Sequence, residues 1–307
     1  VKKTMMIFNP QSGKQNLEKR LPEILNILRS NGYDIQVFST SYVGEATVFA
    51  RQACVENYDM IIIIGGDGTF NECVNGMMEF SKRPLIGYIP AGTCCDIGMT
   101  LGLTKNPNKA LRNILVNRPV DMDVVKANDR YFCYVSGNGA FVDISYVTDS
   151  RLKKKIGYLA YLVKGLEELF TIPNMKIKAV HDQGEINGRF SLILVINSKR
   201  VAGVNLIYKP TLDDGMVDVV MYRSLIPLNW LLYFISFLLP FWSSPLIVRF
   251  QTSTLRVVSN TRSRWNLDGE CGGLGNQNFQ VCKQAIQIIV PPKIKKKYFR
   301  NQEETHD

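Results

Sequence analysis

Met60-Ile-Ile-Ile-Ile-Gly65-Gly66-Asp67-Gly68-Thr69-Phe70-Asn71-Glu72-Cys73-Val-Asn-Gly76 is the stretch from which the rest of the chain can be read. Its first five residues form an unbroken apolar run rich in β-branched side chains, the pattern of a parallel strand buried on both faces. The run stops at Gly65. Three glycines within four positions then allow a sharp turn and a close approach to a bound group, while Asp67 and Thr69 suit the cap of a helix that Phe70 begins. Free N–H groups at such a helix start favour phosphate. The residues alone leave two readings open, a phosphate-binding loop or a tight strand-to-helix turn.

Upstream, Thr4 to Phe8 reads as a short strand and Asn9-Pro10-Gln11-Ser12-Gly13-Lys14 as a polar turn. Leu17, Leu21, Ile24, Leu25 and Leu28 keep a helical period that Asn31-Gly32 ends. Ile35 to Phe38 is the next strand, closing at Ser39-Thr40, and Glu45 to Cys54 the next helix. Downstream, Leu85 to Ile89 gives a fourth strand and Pro90-Ala91-Gly92-Thr93 a fourth loop. This alternation predicts an open parallel sheet with helices on both faces, which gathers ligands at the carboxyl ends of its strands. Asn9 to Gly13, Thr40, Gly65 to Thr69 and Gly92-Thr93 all fall on that edge.

From about Val120 the texture changes to short strands separated by turn signals. Asn128-Asp129 precedes a strand Tyr131 to Val135, Gln183-Gly184 separates two extended runs, and Asp213-Asp214-Gly215 precedes Met216 to Met221. The pattern predicts an antiparallel β domain over 123–290 after an α/β domain over 1–122, with 291–307 either a tail or a return to the first domain. Arg151 to Phe170 reads as a helical interruption with a basic start.

The formal charge of +10 calls for an anionic partner: nucleic acid, nucleotide or an acidic membrane surface. No nucleic-acid-binding module accompanies the charge, so no nucleic-acid partner is expected. Seven scattered cysteines without metal spacing suit free thiols in a reducing cytosol, and two histidines, His181 and His306, make a histidine-based triad or zinc site improbable. His181 reads as a surface strand-end residue. The first residues lack the apolar length of a signal peptide, so a cytoplasmic protein is expected. Leu225 to Val248 is the most apolar stretch, but Pro227, Pro240 and Pro245 leave too short a run to span a membrane. It reads either as a core helix or as a docking face. In the second case Trp230, Tyr233, Phe237, Phe241 and Trp242 would meet the bilayer, with Lys153 to Lys155 and Lys293 to Lys297 over anionic headgroups.

Gly65-Gly66-Asp67-Gly68-Thr69 followed by Asn71-Glu72 resembles the GGDGT signature shared by diacylglycerol, sphingosine and NAD kinases. Asn9-Pro10-Gln11-Ser12-Gly13 is similar to the NPxSG nucleotide loop, Thr40 stands where a nucleotide-contacting threonine is expected, and Gly92-Thr93 completes a PxGT element. Asn266-Leu267-Asp268-Gly269-Glu270 looks like the DGE element of lipid kinases, which separates the chain from NAD kinases; read alone, it is a hairpin turn. Over most of its length the chain thus resembles the soluble bacterial diacylglycerol kinases. The resemblance implies a Rossmann-like, phosphofructokinase-like parallel-sheet domain followed by an antiparallel β-sandwich-type domain, with ATP in the cleft between them.

It further implies that ATP is held by Asn9, Pro10, Gln11, Ser12, Gly13, Thr40, Gly65, Gly66, Asp67, Gly68, Thr69, Phe70, Asn71, Glu72, Gly92 and Thr93. Glu270 inherits the role of base, with Asp268 beside it, and Asp67, Asp96 and Asp123 would form a carboxylate and water network around a catalytic Mg2+. Asp214, with the carbonyls of Thr211 and Met216, resembles a structural Mg2+ loop; without the resemblance it is an Asp-Gly turn. Two positions depart from the family's PxGTxNDFAR: Cys95 replaces an asparagine and Met99 an arginine. The expected activity is transfer of the γ-phosphate of ATP to a membrane lipid, diacylglycerol first, giving phosphatidic acid for phospholipid synthesis. The expected setting is peripheral attachment to the inner face of an anionic membrane, and a homodimer is allowed for. Sphingosine-like lipid, phosphatidylglycerol and NAD remain alternative acceptors, and a nucleotide-binding regulator that has lost catalysis is the alternative class.

Overall fold

A computed structural model describes residues 1–12, 17–140, 174–201, 203–205, 210–225, 228, 229, 233 and 244–300. In chain order they form β1 (Lys2–Phe8), α1 (Leu17–Ser30), β2 (Tyr33–Ser39), α2 (Glu45–Val55), β3 (Met60–Gly65), α3 (Asp67–Met77), β4 (Leu85–Pro90), α4 (Asp96–Thr100) and α5 (Pro107–Val116). There follow β5 (Pro119–Ala127), β6 (Arg130–Phe132), β7 (Val135–Gly139), β8 (Met175–His181), β9 (Gly184–Ile196), β10 (Arg200–Val201) and β11 (Val204–Asn205). The remainder are β12 (Val217–Arg223), β13 (Ile247–Thr252), β14 (Thr254–Ser259), β15 (Arg264–Leu267), β16 (Glu270–Leu274), β17 (Gln277–Ile289) and α6 (Pro292–Tyr298). Two units result: Val1–Val124, Ser198–Gly215 and Cys282–Asp307 make the first, Val125–Asn197 and Met216–Val281 the second.

The first unit carries the parallel sheet that the sequence predicts, in the order β2-β1-β3-β4, with the end of β17 beside β4. Ile61 to Ile64 are fully buried because β3 is covered on both faces. Met60, Ile62 and Ile64 pack with Ile24 and Leu28 of α1 and with Leu111 and Ile114 of α5. The alternation of a strand turns Ile61 and Ile63 to the face that α2 and α3 cover. Burying each such isoleucine contributes roughly 2–3 kcal/mol. All four strands point the same way, so the loops after β1, β2, β3 and β4 lie along one edge.

Residues 210–215 join this unit through main-chain bonds. Asp123 accepts from Gly215 N and Gln284 N, both at 2.7 Å, and Asp123 N donates to the Leu212 carbonyl at 2.8 Å. Leu212 N in turn donates to the Tyr298 carbonyl at the end of α6, and Arg300 N to Asp213 Oδ1 at 3.0 Å.

The second unit is antiparallel, as expected from its turn spacing. Its trunk is β9, whose first half pairs with β8 and whose second half pairs with β7 and β12. Phe132, Phe190, Trp265 and Phe279 are at the centre of its core, and the Trp265 indole N–H donates to the Gly275 carbonyl at 2.7 Å. The single strand expected over Tyr131 to Val135 is instead two, β6 ending at Phe132 and β7 starting at Val135. The cause is a competing acceptor. Cys133 N, Tyr134 N and Val135 N all donate to the carboxylate of Asp268, at 2.6, 2.9 and 3.0 Å, which removes two residues from any ladder.

His181 ends β8 as expected and stacks on Phe250 with ring centres 4.3 Å apart. All seven cysteines are free thiols. The helix expected over 151–170, the lysines at 153–155, Gly13, His306 and most of 225–248, including Trp230, Phe237, Phe241 and Trp242, lie outside the described residues. Within 225–248, Tyr233 donates to Ser191 Oγ at 2.6 Å and packs on Tyr222, and burial pushes its phenol up to about 12. Among the described residues no helix is long and apolar enough to cross a membrane.

Burial pushes the Asp123 carboxyl up to about 6, against the opposing pull of its two N–H donors. A folded-state value above the ordinary one means that the fold binds this proton more tightly than the unfolded chain does. The resulting stability is present in full below about pH 4 and is lost as pH rises through about 6. Wild type should therefore gain melting temperature relative to Asp123→Asn as pH falls from 7.5 to 5, by several degrees. Parallel melting profiles for the two proteins would mean that Asp123 titrates normally.

Candidate functional site

The carboxyl-end loops of the parallel sheet are tied to one another. Asn9 N donates to the Ile64 carbonyl, and Asn9 Nδ2 donates to Thr69 Oγ1 at 3.0 Å, joining the loop after β1 to the start of α3. Asn9 also orders its own turn, accepting Gln11 N on Oδ1 and Ser12 N on its carbonyl. Thr40 N donates to the Phe8 carbonyl, and Ala91 N to the Gly65 carbonyl. Glu72 accepts Gly44 N at 2.9 Å, so it holds the loop after β2. Phe70 packs on Tyr88 with ring centres 4.9 Å apart, and the Tyr88 hydroxyl donates to the Gly65 carbonyl at 3.2 Å. Asn71 is buried and accepts from Asn75 Nδ2.

Gly66 and Gly92 bring two of these loops into backbone contact. A Cβ on Gly92 would lie 2.7 Å from Gly66 Cα, and one on Gly66 would lie 3.3 Å from Gly92 Cα. Side chains at either place would push the two loops apart. Beside this contact stands the N-terminus of α3, with Gly66 as cap and Asp67 in the first turn. A bare helix start of this kind has the chemistry that suits phosphate.

Asp67 accepts Asp96 N at 3.0 Å and Ile97 N at 3.2 Å, fixing the start of α4 against the start of α3. Cys95, the residue before α4, is left-handed, with φ 53°. Asparagine, the usual occupant of this position in the resembling family, tolerates that backbone, whereas a cysteine there carries strain of about 1 kcal/mol. Burial, with the charge of Asp67 second, pushes the Cys95 thiol up to about 12, and burial likewise raises Cys94.

The Asp96 carboxylate is 2 % exposed and occupied by neighbours: Gly203 N donates to its two oxygens at 3.0 and 3.1 Å, and Arg200 Nε lies 3.5 Å away. Asp67, Asp96 and Asp123 thus each hold main-chain N–H groups. Among the described residues no group of three or more His, Cys, Asp or Glu side chains is gathered as a metal ion would need. Asp214, Thr211 and Met216 are half-buried on the loop that Asp123 anchors.

Asp268 and Glu270 belong to the second unit, in the turn between β15 and β16. Asp268 and Gly269 both have positive φ, 52° and 91°, which makes this a tight two-residue hairpin. Gly269 N donates to Asn266 Oδ1 at 2.8 Å. Asp268 is buried, with its carboxylate on the three N–H groups of 133–135, whereas Glu270 is exposed at the first position of β16. Sequence reasoning missed the partners of these acids: the main chain at 133–135, Gly203, Gly215 and Gln284. Main-chain donors have no residue-type signature by which they could have been found.

The family model for the diacylglycerol kinase catalytic domain matches residues 3–127. A diacylglycerol kinase of Staphylococcus carnosus (strain TM300) is 33% identical over 297 residues, covering 96% of this chain and 97% of that protein. A diacylglycerol kinase of Staphylococcus aureus (strain MRSA252) is 31% identical over 309 residues, covering 100% of this chain and 98% of its own. Among solved structures, a Bacillus anthracis str. Sterne protein put forward as a diacylglycerol kinase superposes with a TM-score of 0.83 at 25% identity, covering 95% of this chain and 98% of that one.

The contact between Gly66 and Gly92 is backbone against backbone. Gly92→Ala places a methyl group against backbone that has no rotamer with which to yield, so it should weaken ATP binding at least tenfold and lower the melting temperature by a few degrees. Calorimetric titration with ATP checks this, and wild-type affinity in the variant would mean that the two loops can separate freely.

Proposed function

The chain belongs to the diacylglycerol kinase family and is a lipid kinase, and from that premise we propose that it transfers the γ-phosphate of ATP to the hydroxyl of diacylglycerol, giving phosphatidic acid. The observation that supports the ATP assignment is the close backbone contact of Gly66 with Gly92 at the N-terminus of α3, which leaves no room for a side chain at either glycine. Phosphoryl transfer asks a protein mainly for positioning and charge stabilisation, and the bonds from Asn9 to Thr69 and from Asp67 to the start of α4 supply the positioning.

The attacking hydroxyl must lose its proton. We assign that proton to the carboxylate of Glu270, which is exposed on a stiff hairpin turn. Asp268, held by three N–H groups, acts through the backbone that it fixes and is a positioning residue. Mg2+ supplies neutralisation of phosphate charge when bound, and Asp67 is the rim carboxylate whose chemistry suits it. The loop holding Asp214 offers a further hard-oxygen set, one carboxylate with the carbonyls of Thr211 and Met216, for a structural ion.

The acceptor is tested by incubating the protein with labelled ATP, Mg2+ and, separately, diacylglycerol, a sphingosine-like lipid, phosphatidylglycerol and NAD. Label should appear in phosphatidic acid, and Glu270→Gln should cut kcat by about a hundredfold or more with little change in the KM for ATP. Label on another acceptor corrects the substrate, and normal turnover in Glu270→Gln removes that residue from the reaction.

If the loop at 211–216 binds an ion, Mg2+ without nucleotide should raise the wild-type melting temperature and Asp214→Ala should abolish that rise. Equal melting temperatures with and without Mg2+ reduce the loop to a turn.

A further inference from the structure

Asp67 at the start of α3 and Asp96 at the start of α4 put two carboxylates beside the Gly66–Gly92 contact, where the proposed function seats a polyanion. A polyanion beside two carboxylates needs fixed positive charge close by. Two cations are felt at the same loop, because Lys105 and Arg200 both oppose the upward push of burial on the Cys94 thiol, and Lys105 does so at Cys95 as well. Arg200 is committed elsewhere: its Nε pairs with Asp96 and its Nη2 donates to the Gly203 carbonyl at 2.8 Å.

Lys105 is placed differently. Its ammonium donates to the carbonyl of Thr93, the exposed residue directly after Gly92. An ammonium carries three N–H donors, so this bond orients it and leaves capacity for a ligand. The segment beneath it is stiff. Leu103 N donates to the Gly98 carbonyl at 2.8 Å, Asn106 N to Thr104 Oγ1 at 3.1 Å, and Asn106 Oδ1 caps α5 by accepting Asn108 N and Lys109 N. A half-buried lysine on such a base loses less freedom on binding than one on an open loop.

We propose that Lys105 is a direct ligand of the nucleotide's polyphosphate, a point charge on the β4 side of the Gly66–Gly92 contact. The assignment rests on the ATP reading above and adds a residue to it. The competing role is a tether, in which the bond to Thr93 only holds the loop. The two roles differ in what they make depend on phosphate charge.

Direct binding of ATP and of adenosine to purified protein separates them, with melting temperature measured without nucleotide. Lys105→Met should weaken ATP binding about tenfold while adenosine binding and melting temperature stay near wild type. The deficit should shrink as salt rises, and Lys105→Arg should bind ATP within about threefold of wild type. Wild-type ATP affinity in Lys105→Met overturns the proposal. So does an equal loss for ATP and adenosine together with a lower melting temperature, the signature of a tether. A wild type that binds ATP but phosphorylates no lipid would sink the kinase reading and leave this one standing.

Discussion

A carboxylate closed over main-chain N–H groups is the joint on which each part of this protein hangs. Asp67 takes Asp96 N and Ile97 N, Asp96 takes Gly203 N, Asp123 takes Gly215 N and Gln284 N, and Asp268 takes three in succession. Main-chain donors that leave a helix or a ladder must find an acceptor, and a charged one contributes about 1.5–3 kcal/mol for each bond. Against this stands the cost of taking the charge out of water. At Asp123 burial wins and the carboxyl is pushed up to about 6. At exposed Asp182, where Ser253 N and the hydroxyls of Ser253 and Thr254 donate, the same kind of bonding holds the carboxyl well below its ordinary range. Solvent decides the sign.

This division sorts the acids by task. An acid enclosed by N–H groups shapes the chain, because protonation or withdrawal would strand the donors it satisfies. Asp96 and Asp268 are of that kind, 2 % and 3 % exposed. An acid that handles a substrate proton must reach that proton, and Glu270 is the exposed member of its turn. In the proposed reaction Asp268 therefore sets where Glu270 stands, two residues away on a hairpin whose turn residues are both left-handed.

The parallel sheet was legible because its information is local: five apolar residues before three glycines can scarcely be anything but a buried strand meeting a tight turn. The break in the strand at Cys133 and Tyr134 was not legible. Tyr-Phe-Cys-Tyr-Val has nothing but strand formers, and the acceptor that interrupts it comes from Asp268, 135 positions from Cys133. The place of 198–215 in the first unit is hidden for the same reason, since it depends on bonds from Asp96 to Gly203 and from Asp123 to Gly215. At the candidate site, the loops could be placed on one edge from the alternation of strands and helices alone. That Asn9 binds Thr69, or that Lys105 leans on Thr93, depends on side-chain reach within an ordinary polar turn.

The proposed phosphoryl transfer gives a reason for meeting the nucleotide mostly with backbone. Main-chain dipoles fixed by secondary structure need no reorganisation when charge moves in a transition state, and here the floor beneath them is fixed again by Phe70 against Tyr88. In the proposed reaction such dipoles would hold phosphate but could not follow a proton or adjust to a charge that changes as the bond breaks. Those two tasks would fall to the long side chains of Lys105 and Glu270. Glu270 follows a turn whose N–H groups at Asp268 and Gly269 are already bonded, and Lys105 stands just before the capped start of α5, so that each side chain can move while its base does not.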